Sequence, residues 1–198
     1  MTPPRVFLLS PANCGGERAG LLLGPRAQFD LARRLRAAEG ATLGEVFSFC
    51  SSLYFRGKLT YAERFGVPLV ITPNAGLRPP DERVTVTALR AAARVDIHAG
   101  NARYRRPLLA SARAVAETLG PEASVTLLGS IASDKYVGTL LDVFGERLTF
   151  PVAFVGRGDM SRGGLLLRAV RAGAELEYAP VAGAIRHGPR PPRLTPVR

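Results

Sequence analysis

The stretch R-V-F-L-L-S-P-A-N-C-G-G at residues 5–16 decides the fold class, because an apolar run of strand length leads directly into a polar loop with paired glycines. P-L-V-I-T at residues 68–72 and S-V-T-L-L at residues 124–128 repeat this arrangement. Helical apolar spacing separates the runs and is clearest over residues 103–119. Strands that alternate with helices predict an α/β domain with a mostly parallel sheet flanked by helices.

Further elements are expected on both sides of these runs. A helix is expected over residues 25–40, and Thr42 is expected to cap a second helix, with residues 54–65 as its continuation or as a third helix. Residues 25–66 thus form a helical insertion after the first strand. The region around Gly40 and Gly44 joins the two helices. The remaining predictions are helices at 87–94, 134–144 and 160–172, and strands at 147–155 and 176–181. We expect one domain over residues 1–183 and a basic tail rich in proline and arginine over residues 184–198.

Polar clusters follow the three apolar runs, at residues 10–16, 72–76 and 129–135. Parallel strands bring their carboxyl ends to one edge of a sheet, where ligands bind in α/β proteins. The sequence therefore predicts one crevice that gathers these clusters.

Candidate ligand-binding residues come from these loops and from the turn that opens the 160–172 helix. They are Ser10, Asn13, Cys14, Asn74, Ser133, Lys135, Tyr136, Arg157 and Arg162. For an enzyme, Ser10 and Asn13 are candidates to contact a base, and Lys135 and Arg157 to hold phosphate or sugar oxygens. Asp134, Asp159 and Lys135 are the candidates for acid–base catalysis.

The formal charge is +11 and the sequence pI is near 10.9, a balance that favours a polyanionic partner such as nucleic acid. Every basic residue except Lys58 and Lys135 is arginine, and a GC-rich genome produces the same bias without a functional cause. Aromatic and basic residues alternate over residues 54–61, where Arg56 and Lys58 are candidate nucleic-acid contacts and the tyrosines suit either that face or the core.

Several classes of protein are disfavoured by the composition. The apolar runs are too short to cross a bilayer, and the first residues lack the apolar core of a signal peptide, so a cytoplasmic location is expected. Cys14 and Cys50 form no C-x-x-C pair, and His98 and His187 have neither metal-ligand nor Ser-His-Asp spacing. We therefore predict no disulfide scaffold, no metal site and no cofactor.

Four short motifs, in order, resemble the YaaA family of bacterial peroxide-stress proteins. They are S-P-A at residues 10–12, G-L-R-P-P-D at 76–81, A-S-D-K-Y at 132–136 and R-G-D-M-S-R at 157–162, where the family has S-P-A-K, G-L-x-R-P-x-D, N-L-A-S-x-E-Y and A-R-G-x-M-x-R. Asn13 stands where the family has lysine, and the segment before G-L-R-P-P-D is shorter, so the chain resembles a divergent, short member.

The resemblance implies a mixed α/β fold, a cytoplasmic location, protection against peroxide- and iron-driven damage, and binding of double-stranded DNA through a helix-hairpin-helix element. Helices at 27–38 and 43–53 match the position of that hairpin. The resemblance thus makes Arg33, Arg34, Arg36, Gly40 and Gly44 DNA-binding candidates, and the aromatic and basic pattern adds Arg56 and Lys58.

Three functions remain open from the sequence. The first is a YaaA-like DNA-binding stress protein. The second is an enzyme that processes a nucleobase or nucleoside in the crevice, favoured by the loop clusters and by a thinner similarity to nucleobase-modifying relatives of the family. The third is an interaction module without a ligand, which an absent pocket would favour.

Overall fold

A computed structural model describes residues 5–194. Its strands are β1 (Val6–Leu9), β2 (Ala41–Thr42), β3 (Val67–Thr72), β4 (Gly76–Arg78), β5 (Arg83–Val84), β6 (Val125–Leu128), β7 (Leu148–Pro151) and β8 (Tyr178–Pro180). Its α-helices are α1 (Glu17–Leu23), α2 (Asp30–Arg36), α3 (Leu43–Phe65), α4 (Val86–Ala93), α5 (Ala102–Leu119), α6 (Val137–Phe144) and α7 (Asp159–Ala172). Short 3-10 turns occupy Gly145–Arg147 and Val152–Phe154.

Six strands form one sheet in the order β4-β3-β1-β6-β7-β8. The central strand β1 is parallel to β3 and β6, and β7 is parallel to β6. The edge strands β4 and β8 are antiparallel to their neighbours. The predicted α/β class with a mostly parallel sheet is therefore confirmed.

Helices cover both faces of the sheet, which explains why β1 and β6 are buried throughout. Phe7 and Leu9 belong to the core beneath α1, α2, α3 and α7. Val6 and Leu8 belong to a second core beneath α5 and α6. Period-two alternation of the β1 side chains thus assigns α3 and α5 to opposite faces.

Helices α3 and α7 approach closely where two glycines meet. A Cβ on Gly163 would lie 2.8 Å from the main-chain oxygen of Leu53, and a Cβ on Gly57 would lie 2.7 Å from the main-chain oxygen of Gly163. Only a residue without a side chain allows this approach. The contact sets the first half of α7 directly beside Tyr54 and Lys58 of α3.

The segment between β1 and α3 differs from the prediction. The helix expected over residues 25–40 is wrong in extent, because the observed helix α2 covers only Asp30–Arg36. Gly24 and Pro25 end the preceding helix α1, and residues 25–29 connect the two. α1 was not predicted. β4 was also missed, since its three residues pair with β3 in a hairpin that has no long apolar run.

The helix-hairpin-helix element is not confirmed. Gly40 is buried with φ +68°, and β2 pairs with β5 beside it. The amide of Leu43 donates to Glu82 O at 2.9 Å, and that of Gly44 donates to Pro80 O at 2.8 Å. These amides are therefore satisfied within the chain instead of facing a phosphate.

The described part of the tail lies against the domain. Arg186 forms an ion pair with Asp134, and the main-chain oxygen of Pro192 accepts from Arg157 at 3.3 Å. Among the described residues, no helix combines the length and apolarity that crossing a membrane requires.

Candidate active site

A cavity of about 950 Å³ opens at the carboxyl ends of β1 and β6. The loop after β1 contributes residues 10–15, and the loop after β6 contributes Ser130, Ser133, Lys135 and Tyr136. From the cluster after β3, Pro73 lines the cavity. The crevice predicted from strand direction therefore exists, and two of its three expected loops form most of the sheet-side wall.

Lys58 lies at the floor of the cavity and is 1% exposed. Its Nζ donates to the main-chain oxygen of Ser10 at 2.6 Å and to the Ser10 hydroxyl at 2.7 Å. The rings of Tyr54 and Phe55 lie 4.4 and 4.9 Å from the same nitrogen. Burial lowers the pKa of Lys58 to about 7, because desolvation outweighs the attraction of Asp159.

Two tyrosines complete the floor. Tyr136 is buried and donates from its hydroxyl to the main-chain oxygen of Ser130 at 3.0 Å. Tyr54 is 7% exposed, and its hydroxyl has no hydrogen-bond partner among the described residues. Ser10 lies close enough to affect the pKa of Tyr54, but the two hydroxyls lack the geometry of a hydrogen bond. Burial raises the pKa of Tyr54 above its usual range and keeps the phenol protonated.

Arg162 and Asp159 form the wall contributed by α7. The Arg162 guanidinium is buried and donates to the main-chain oxygen of Phe154 from both Nε and Nη2. Its Nη1 lies 3.1 Å from Asp159, whose side chain is 67% exposed toward the mouth. The pair thus presents a carboxylate to the entrance while its arginine is fixed by the protein.

A distorted residue in α3, Ser52, directly follows Ser51 of the cavity wall. Ser52 has φ 49° and ψ −132°, inside an otherwise helical segment. A residue with a side chain pays a strain cost there, and such strain is frequent at functional sites. The kink presents Ser51 to the cavity, where its hydroxyl accepts from the amide of Asn13 at 3.1 Å.

The loop after β1 does not offer the free amides that its glycines suggested. The amide of Gly15 donates to the Asn13 side chain, and that of Gly16 donates to the Asn13 main-chain oxygen. Cys14 lines the cavity, but burial raises the pKa of its thiol to about 12. The thiol is therefore protonated at neutral pH and is a poor nucleophile.

Several predicted crevice residues lie elsewhere. Asp134 pairs with Arg186 and is absent from the cavity wall, and Arg157 is held by Ala153, Ser161 and Pro192. Asn74 lines a separate hollow with Arg103 and Arg106. Of the three acid–base candidates, Asp159 and Lys135 line the cavity and Asp134 does not.

The DNA-binding candidates are dispersed. Arg33 and Arg36 are exposed on α2. Arg34 forms ion pairs with Asp30 and Glu45, and it shares a shallow surface groove with Arg56, Arg18 and Phe49. The expectation that Lys58 belongs to an exposed basic face is wrong, because α3 directs it into the domain.

Sequence reasoning missed the contribution of α3 and of residues 92–97 to the cavity. One signal was available: Tyr54 and Lys58 are four residues apart and therefore share one helix face. Lysine is rarely buried, so a lysine on the apolar, aromatic face of a helix points to a functional role. Nothing in residues 92–97 distinguished them from an ordinary helix end.

A scan against protein-family models, a search of curated proteins and a search of solved structures each gave no match to this chain. The resemblance to the YaaA family therefore stays a prediction from four short motifs.

Proposed function

We propose that this protein is an enzyme that binds a nucleobase or nucleoside in the crevice, with Lys58 as its acid–base group. The observation that carries the proposal is a fully buried lysine whose ammonium faces a cavity without an ion pair to any described carboxylate. Keeping a charge in such a place costs free energy, so a site of this kind is a candidate for function.

The position of Lys58 supports a role in proton transfer. A pKa near 7 gives both protonation states comparable populations at neutral pH, which suits a general acid or base. Ser10 holds the amine in one orientation through two hydrogen bonds. Asp159, at the mouth, is the second proton-transfer candidate, and Lys135 on the exposed rim is suited to contact sugar or phosphate oxygens.

The cavity also supports a ligand of nucleoside size. Its volume of about 950 Å³ lies within the usual range for ligand pockets, and its place at the strand ends is the usual one in α/β proteins. The charge of +11 favours the anionic members of this ligand class, the nucleoside phosphates. We place the protein in the cytoplasm as part of the same proposal.

The test is equilibrium binding of a panel of free bases, nucleosides and nucleoside monophosphates to the wild type and to Lys58→Met. We expect the wild type to bind at least one member and Lys58→Met to lose at least tenfold in affinity. Arg157→Ala is the matched control. This substitution also removes a cation, but Arg157 does not line the cavity and donates to the main-chain oxygen of Ala153. Failure of the whole panel to bind, or equal binding by Lys58→Met, overturns the proposal.

A second candidate is the YaaA-like function of DNA binding that limits peroxide damage. The observation that favours it is a surface groove that Arg18, Arg56 and Phe49 line together with the Arg34–Glu45 ion pair. Arg18 lies over the Phe49 ring at 5.2 Å, and the half-exposed Phe29 stacks on that ring at 5.2 Å. Arginine and aromatic surfaces of this kind suit phosphates and bases.

This second candidate is tested with a fluorescent DNA duplex at two salt concentrations. Arg56→Ala should weaken binding and reduce its salt dependence, whereas Arg113→Ala, which removes the same charge from exposed α5 on the opposite face, should change neither beyond a small general effect. Equal effects of the two variants would exclude the groove as the DNA-binding surface.

A further inference from the structure

The floor of the crevice offers hydrogen-bond donors that nothing in the described chain accepts. The Tyr54 hydroxyl is buried and unpartnered, and it faces the cavity. A buried hydroxyl without an acceptor costs free energy, and a ligand that supplies the acceptor recovers it. Tyr104 of α5 has the same unpartnered hydroxyl, but its side chain belongs to the second core and does not line the cavity.

Lys58 adds a second donor at the same place. An ammonium group has three N–H bonds, and Ser10 accepts two of them. The third has no oxygen acceptor among the described residues, and the Lys58 nitrogen lies 4.4 Å from the Tyr54 ring centroid. The two donors therefore belong to one small region of the floor.

The acceptors near this region are already in use. The oxygens of Ser10 accept from Lys58, and the Ser130 main-chain oxygen accepts from Tyr136. The Asp159 carboxylate is at the exposed mouth and accepts from Arg162. An amino group brought to the floor could donate only to the Tyr54 hydroxyl oxygen and would leave the third N–H of protonated Lys58 unpaired, whereas a carbonyl oxygen would accept from Tyr54, from Lys58 or from both.

We propose that the floor of the crevice binds a carbonyl oxygen of the base, so that the site selects oxo-substituted nucleobases of the uracil and hypoxanthine class over their amino-substituted counterparts. This inference rests on the proposed function. A site built from unpaired donors discriminates strongly, because the wrong ligand leaves buried polar groups unpaired on both sides. Protonated Lys58, which is the main form below pH 7, supplies the third N–H that the carbonyl oxygen accepts.

The experiment compares two matched pairs of nucleosides, inosine with adenosine and uridine with cytidine, by equilibrium binding. In each pair a carbonyl oxygen replaces an amino group at one position of the ring. We expect the oxo member of at least one pair to bind at least about tenfold more tightly than its partner.

Two variants locate the discrimination. Tyr54→Phe removes the Tyr54 hydroxyl and should weaken binding of the oxo member by about tenfold and binding of the amino member by less, so that the difference between the two narrows. Tyr104→Phe removes an equally unpartnered hydroxyl outside the cavity and should leave both affinities at the wild-type values. Thermal unfolding of both variants checks that the fold is kept.

The outcomes separate the two proposals. Binding of nucleosides without discrimination, with preference for the amino member, or with equal loss in Tyr54→Phe and Tyr104→Phe overturns the selectivity and leaves the proposed function standing. Displacement of inosine by millimolar inorganic phosphate also overturns it, because the floor would then take an anionic oxygen. Absence of binding by all four nucleosides and by the wider panel removes both proposals together.

Discussion

The ammonium nitrogen of Lys58 lies 2.6 Å from the main-chain oxygen of Ser10 and 2.7 Å from its hydroxyl. This contact joins the middle of α3 to the residue that follows β1, across 48 positions of the chain. It satisfies a carbonyl at the end of the central strand and holds the lysine at the floor of the cavity. The same contact is therefore structural and, in the function proposed above, catalytic.

The buried Lys58 predicts an unusual pH dependence of stability. Its pKa is about 7 in the folded state, below the ordinary lysine value of 10.5, so the unfolded chain binds more protons between these limits. The free energy of unfolding of the wild type relative to Lys58→Met should therefore rise with pH in this window. Linkage gives an increase on the order of 2 kcal/mol between pH 7 and pH 9.

Chemical denaturation of both proteins at several pH values measures this difference. Lys58→Met also serves as the reference that cancels the titration of Cys14 and Cys50, whose raised pKa values act in the opposite direction as pH increases. A difference between the two proteins that stays constant from pH 7 to pH 9 would show that Lys58 has an ordinary pKa.

Gly163→Ala should destabilise the protein by about 1–3 kcal/mol, because the new Cβ would lie 2.8 Å from the main-chain oxygen of Leu53 and force α3 away from α7. Gly138→Ala in α6 is the control, since a Cβ there meets nothing within 4 Å. Replacing that helical glycine should stabilise the protein by about 0.5–1 kcal/mol. Urea denaturation compares the two, and equal effects would mean that the close contact between α3 and α7 is absent in solution.

Ser52→Gly should raise the free energy of unfolding by roughly 1 kcal/mol, because glycine adopts the φ of 49° without strain. Ser48→Gly, in a regular part of the same helix, should instead lower it by about 0.5 kcal/mol through the poor helix propensity of glycine. Thermal and urea unfolding report both changes. Destabilisation of equal size at the two positions would indicate that α3 runs through residue 52 without a kink.

Thr42→Ala should cost about 1 kcal/mol, because Thr42 and Glu45 form a reciprocal capping box at the start of α3. Arg34 and Thr42 lower the pKa of Glu45 to about 2, so the stabilisation by this carboxylate is present above the ordinary glutamate pKa and is lost as pH falls toward 2. Thr118→Ala is the control. Thr118 is exposed near the end of α5, so its replacement should leave the free energy of unfolding nearly unchanged. A cost that does not exceed that of Thr118→Ala would contradict the capping role.

The sequence by itself determined the α/β class. Apolar runs at β1, β3 and β6 are short and bounded by turn residues, and a run without alternation is typical of a strand covered on both faces. It also located α5, whose apolar stripe and terminal Gly120 are local signals. The sequence also predicted that loops distant in the chain meet in one crevice, because parallel strands place their carboxyl ends at the same edge of the sheet.

Tertiary structure alone decided the chemistry of that crevice. Helical spacing puts Lys58 on the face of Tyr54, but only the packing of α3 on β1 and α7 buries its amine while Arg56 stays exposed. Likewise, the local sequence around Gly40 and Gly44 is compatible with an open hairpin. In the folded chain, β5 pairs with β2, and the segment before β5 accepts the hydrogen bond of the Gly44 amide. Burial and desolvation depend on neighbours from remote parts of the chain, and these determine which polar groups remain available to a ligand.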